Sequence, residues 1–164
     1  MLSECARATT IEEARFRVGY PNSIPRRIKI VALDKPAERV VRRLAQKHWN
    51  SATFMTTSAG GTRRSVRDWL SDLAGETVDL LDQISAADLM VTVSTAGESS
   101  DDATVIADAC SIHKVMMTSL LIDPASAPEP LLLETMMPLR LHASMLVVAK
   151  GEEYVEAMLT ALRA

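Results

Sequence analysis

The sequence predicts an α/β domain of three layers, with a mostly parallel sheet between two layers of helices. Three observations predict it. From Arg27 onward, short apolar runs alternate with segments whose apolar residues recur at helical spacing. One run, Val115–Ile122, is almost wholly apolar, as suits a strand covered on both faces. The 164 residues are 48% hydrophobic and 24% charged, which suffices for one aliphatic core and is too short for two ordinary domains.

Each element follows from local signals. Residues 1–26 read as an N-terminal arm laid on the domain or on a partner, and residues 27–164 as a single Rossmann-like domain. In the arm, Thr10 and Glu13 have capping-box spacing, so a short helix covers Ile11–Arg17 until the Gly19–Pro25 stretch breaks it. Ile28–Leu33 is a strand, and Asp34 and Pro36 start a helix over about 36–48 with Val40, Val41, Leu44 and His48 on one face. Ala52–Thr57 is a second strand, closed by Ser58-Ala59-Gly60-Gly61. A helix over about 63–74 would place Val66, Leu70 and Leu73 inward, with Gly75 as its stop. Residues 76–87 read two ways, since Thr77–Leu81 suits a short strand or a first helical turn.

Leu89–Val93 is a strand ended by Ser94-Thr95-Ala96-Gly97-Glu98, and Asp101–Ile112 is a helix with Val105, Ile106, Ala109 and Cys110 inward. After Val115–Ile122, a loop at Asp123–Pro128 leads to a helix over 129–138. A strand at Ser144–Ala149 follows, then a helix over 152–162 with Val155, Met158, Leu159 and Leu162 inward.

Composition bounds the function. Net charge is −3, but residues 1–82 carry 14 Lys and Arg against 10 Asp and Glu, whereas residues 83–164 carry 4 against 11. Such polarity suits head-to-tail self-association or an acidic partner for the basic end, although solvated faces account for it as simply. Arg39, Arg42, Arg43 and Lys47 lie on the outer side of one helix. That basic set is weak support for nucleic-acid binding, and aromatics at 4% with a net charge of −3 argue against it. Cys5 and Cys110 fit no zinc or CxxC spacing, and a reducing cytoplasm suits them. The N-terminus has no apolar h-region, and no apolar run reaches the roughly 18 residues of a membrane helix.

In open parallel sheets, ligands sit at the carboxyl ends of the strands. That rule selects the loops at Asp34-Lys35, Thr56–Gly61, Ser94–Asp102 and Asp123–Ala127. The candidate ligand-binding residues are Asp34, Thr57, Ser58, Gly60, Ser94, Thr95, Gly97, Ser99 and Ser100. The first loop lacks the glycines that let a backbone approach a pyrophosphate, and no GxxxxGK[ST] occurs. The Ser94–Asp102 loop precedes a helix N-terminus that attracts anions. Glu98, Asp101 and Asp102 suit capping there and repel a phosphate that comes without Mg²⁺. A phospho-receiver site is disfavoured, since Asp34 stands without an acidic partner and Asp123 occupies the place of the lysine. His48, His113 and His142 have no metal-ligand spacing, and no GxSxG supplies a hydrolase nucleophile. No catalytic residue, metal or cofactor is indicated.

The run Ala87-Asp88-Leu89-Met90-Val91-Thr92-Val93-Ser94-Thr95-Ala96-Gly97, followed by Ala103-Thr104-Val105-Ile106-Ala107, resembles the strand, glycine loop and helix of the FtsZ/tubulin-type GTPase domain. Arg27–Leu33, Ala52–Thr57 and Leu141–Lys150 resemble further strands of that family in order. The resemblance implies a GTPase-type scaffold over residues 27–160. The family's glycine-rich first loop is Asp34-Lys35-Pro36-Ala37 here, and its GGGTGTG-like loop is Glu98-Ser99-Ser100-Asp101-Asp102. These departures argue against GTP hydrolysis and leave GTP binding open.

Three functional readings follow. The first is a non-catalytic module acting through protein contacts, as a homo-oligomer and in particular a dimer, with no membrane partner. The second is a nucleotide or small-molecule binder using the loops at 34–36, 56–61 and 94–101. The third is an enzyme of unrecognised chemistry, for which Asp34 is the first residue to substitute.

Overall fold

A computed structural model describes residues 25–57, 66–123 and 127–164. β1 (Ile28–Ala32) leads into α1 (Lys35–Leu44), and β2 (Ala52–Thr57) follows. A single 3-10 turn at Val66–Trp69 precedes β3 (Leu70–Asp72) and β4 (Thr77–Val78). Then come α2 (Leu80–Ser85), β5 (Leu89–Thr95), α3 (Asp102–His113) and β6 (Met116–Ile122). The chain continues through α4 (Glu129–His142), β7 (Met145–Ala149) and α5 (Glu152–Ala161). The seven strands among the described residues form one sheet in the order β4-β3-β2-β1-β5-β6-β7. Five of them, β2, β1, β5, β6 and β7, pair in parallel, and β3 and β4 are added at one edge by antiparallel pairing.

Alternation along the strands divides the core in two. Ile28, Ile30 and Ala32 of β1, with Leu89, Val91 and Val93 of β5, face α1 and α5, where Val41, Leu44, Val155 and Leu159 are buried. Val31 and Met90 face the other way, onto Leu80 and Ile84 of α2, Ile106 and Cys110 of α3, and Leu139 of α4. The expected three-layer α/β class is therefore the observed one.

Several elements differ from expectation. Residues 66–74 form no α-helix, only the 3-10 turn at Val66–Trp69 followed by β3. Leu70 is fully buried in β3, in register with Thr57 and Val78, and Asp72 Oδ1 accepts the N–H groups of Ala74 and Glu76 to form a tight turn. Gly75 serves that turn with φ +91°, rather than ending a helix. Both readings of 76–87 hold in sequence, because β4 is followed by α2, whose N-cap Asp79 accepts from Leu81 and Asp82. α1 stops at Leu44, where the Trp49 indole N–H donates to the Leu44 carbonyl, and His48 is exposed instead of joining the core face. α4 runs past Pro138 to His142, so His142 lies in a helix and not a loop. Leu139, fully buried one residue beyond the proline, holds that last turn on the sheet.

α3 ends on Lys114 in the left-handed conformation, φ 57°, with the Val115 N–H reaching back to the Cys110 carbonyl. Only glycine takes that conformation without cost. Lys114→Gly is expected to raise stability by about 0.5–1 kcal/mol. A lower thermal midpoint for the variant would contradict the account.

Candidate functional site

β1 has β2 on one side and β5 on the other, and the helices that follow β1 and β5 cover opposite faces. The crevice of such a sheet opens between the carboxyl ends of those two strands. Asp34 stands there, one residue beyond Leu33. Its Oδ1 accepts the Ala37 N–H at 2.7 Å, capping α1, and its Oδ2 accepts the Thr95 N–H at 2.7 Å, across the crevice. Helix-start and strand-end amides are the donors that a phosphate would use. Here the protein's own carboxylate takes them. Burial pushes the Asp34 pKa up, the bonds from Ala37 and Thr95 oppose that, and the nearby charge of Glu98 adds to the rise.

The candidate residues fall into two places. Asp34 and Thr57 line a cavity of about 160 Å³ with Lys35, Glu38 and Asp102. The Thr57 hydroxyl donates to the Leu33 carbonyl at 3.4 Å. Lys35 and Arg42 both bond Glu38, at 2.8 and 2.7 Å, and hold its carboxyl below the usual range. Gly97, Ser99 and Ser100 line a second cavity of about 200 Å³ with Glu98, Asp101 and Glu134. The Ser99 hydroxyl bonds Asp101, and the buried Ser100 hydroxyl donates to the Thr135 carbonyl. Ser94 and Thr95 are strand residues of β5 rather than loop, paired with Leu121 and Ile122. Ser58 and Gly60 lie outside the described residues. Among the described residues, no group of three or more His, Cys, Asp or Glu side chains is placed to hold a metal ion.

Ser94 is fully buried, and its hydroxyl has no hydrogen-bond partner among the described residues. A buried hydroxyl without a partner costs free energy. Ser94→Ala is therefore expected to leave stability unchanged or to raise it by up to about 1 kcal/mol. Chemical denaturation checks this, and a loss beyond that size would show that the hydroxyl has a partner after all.

Sequence reasoning missed Thr135. Its hydroxyl accepts the Gly97 N–H at 2.9 Å and faces the carbonyls of Glu98 and Leu131, at 3.2 and 3.3 Å. It ties α4 to the loop after β5. The available signal was a lone hydroxyl on the apolar face of Leu132, Met136 and Leu139.

Charge is used inside the fold. Arg43 pairs with Glu152 and Lys47 with Glu156, so the basic outer side of α1 is clasped to acidic α5. Two of the basic charges of the first half are thereby paired with two acidic charges of the second within one molecule. Burial pushes the free Cys110 thiol up to about 12, leaving it unreactive. No helix among the described residues is long and apolar enough to cross a membrane.

The fold and its crevice define a three-layer α/β domain with a strand-end switch point. No family model matches the chain, and no curated protein matches it. Among solved structures, it is similar to translation elongation factor SelB from Methanococcus maripaludis in complex with the GTP analogue GppNHp. The TM-score is 0.53 at 10% identity, over 87% of this chain and 34% of that one. The chain thus spans about a third of that structure's length, and the likeness is one of fold.

Proposed function

We propose that this domain is a non-catalytic protein-contact module that works by self-association, as a dimer. The observation that carries the reading is the β7 side of the molecule. Met145 and Val148 on the edge strand, Met137 and Leu141 on α4, and Tyr154 on α5 are all exposed apolar groups on neighbouring elements. Exposed apolar groups along one edge of a sheet mark a contact surface. The Asp34 carboxylate in the crevice supports the same reading, since it fills the anion position that a nucleotide would need. A cytoplasmic setting belongs to this proposal, since the buried free thiol of Cys110 suits a reducing compartment; residues 1–24, with the expected arm and its Ile11–Arg17 helix, lie outside the described residues. Sedimentation velocity of the full chain over a range of concentrations tests it. A dimer is expected at micromolar concentration, and a monomer throughout would end the proposal.

A second reading is favoured by the fold likeness to a protein bound to a GTP analogue. In it, an FtsZ/tubulin-type scaffold binds a nucleotide or another small molecule at the strand ends, using the two cavities there. A thermal-shift series with GTP, GDP and ATP, each with Mg²⁺, decides the matter. Binding raises stability by RT ln(1+[L]/Kd), and no shift at millimolar ligand would dispose of this reading.

A further inference from the structure

The two edges of the sheet are built differently. Edge strands offer unpaired backbone groups, and proteins blunt them with shortness, charge or proline. β4 is blunted by length, at two residues. β7 is five residues long, Met145-Leu146-Val147-Val148-Ala149, with no charge and no proline. An open groove beside Tyr154 runs along Val147–Ala149 of this strand, and a second lies on α4 at Met137, Arg140 and Leu141. Among the described residues nothing pairs with this outer edge, which leaves it a template for another strand.

We infer that the occupant is β7 of a second copy, paired antiparallel about a two-fold axis normal to the sheet. This rests on the self-association reading above and specifies its surface. Two observations favour a second copy. First, the spacing fits. α4 packs on both β6 and β7 and so lies over the gap between them. A two-fold at the β7–β7′ junction then sets α4 about two strand spacings, roughly 9.5 Å, from its mate. Packed helices stand about 8–10 Å apart.

Second, the charges fit. The side of α4 carrying Glu134, Thr135 and Pro138 faces the loop after β5. The opposite side, toward the sheet edge, carries Glu129, Leu133, Met137 and Arg140 at helical spacing. Glu129 and Arg140 are both exposed, one at each end of the stripe. Antiparallel pairing of two such helices places apolar centre on apolar centre. It brings Glu129 of each copy toward Arg140 of the other. An isologous interface requires this self-complementarity.

Sedimentation of full-length variants tests the inference. Val148→Lys puts a charge in the edge strand and is expected to convert the dimer to monomer at concentrations where the parent is dimeric. Glu129→Arg and Arg140→Glu are each expected to weaken association by about tenfold, by placing like charges together. The double variant carrying both is expected to recover the parent affinity, which happens only if the two residues meet across copies. Circular dichroism melts of each variant separate misfolding from dissociation. A dimer that ignores Val148→Lys overturns the β7 interface while leaving self-association standing, and a monomeric parent overturns both. Single-charge losses that the double variant does not recover overturn the α4–α4′ pairing.

Discussion

Asp34→Ala is expected to destabilise the domain by about 2 kcal/mol at neutral pH. Two bonds are lost together, the cap on Ala37 and the bridge to Thr95. Each is worth about 1 kcal/mol or more, and relief of the carboxylate's burial offsets part of the loss. Asp34→Asn separates them, because asparagine caps a helix as well as aspartate but offers only one acceptor oxygen. It is expected to cost about half as much as the alanine change, since only one of the two bonds is lost.

The pH dependence has a definite sign. Burial raises the folded-state pKa of Asp34. Stability from this group is therefore fully present below the ordinary carboxylate pKa and is lost as pH rises through the raised value. The stability advantage of the parent over Asp34→Asn should shrink as pH rises through mildly acidic values. Urea titrations at several pH values measure it, and an advantage that grows with pH would show the carboxylate to be stabilised by its site instead.

Thr135→Val is expected to cost about 2 kcal/mol with no change in packed volume. The substitution keeps the shape and removes the acceptor of the Gly97 N–H and the donor to the Glu98 carbonyl. Gly97 sits at φ +91°, with Leu131 of α4 directly against it, so the loop has few other ways to satisfy its amide. Hydrogen exchange should show lost protection at Gly97 and its neighbours, with the strand amides of β5 unchanged. Thr135→Ser should retain most of the stability, and equal losses for Ser and Val would remove the hydroxyl from the explanation.

The parallel core was legible because its strands are near-continuous apolar runs. Met90–Val93 and Leu120–Ile122 are buried throughout, and no helical periodicity competes with them. The β3–β4 hairpin was not legible. Leu70 and Leu73 fall at helical spacing with Val66, while the strand itself, Leu70-Ser71-Asp72, is too short to show alternation. Pro138 is a local stop signal that burial of Leu139 overrides. In the candidate site, Asp34 was visible both as a helix cap and as a strand-end group. Its second bond was not, because Thr95 is 61 residues away and only the β1–β5 pairing brings the two together. Thr135 is separated from Gly97 by 38 residues and carried only the faint mark of polarity on an apolar helix face.

The central place of β1 also sets an order of assembly. Its partners are β2, where Ile28 meets Ala52, and β5, where Ile28 meets Leu89. Closing the longer of these two loops costs only about 0.8 kcal/mol more than the shorter, so entropy alone barely separates them. Synthesis separates them completely. When residues 28–57 have emerged, β2 is the one sheet partner of β1 that has been made, and β5 has not. The strand that covers this side is β5, at residues 89–95, and β6 and β7 then each carry that edge one strand outward. Refolding from denaturant, where all segments are present at once, is free of that constraint, so the two routes pass through different partly formed sheets.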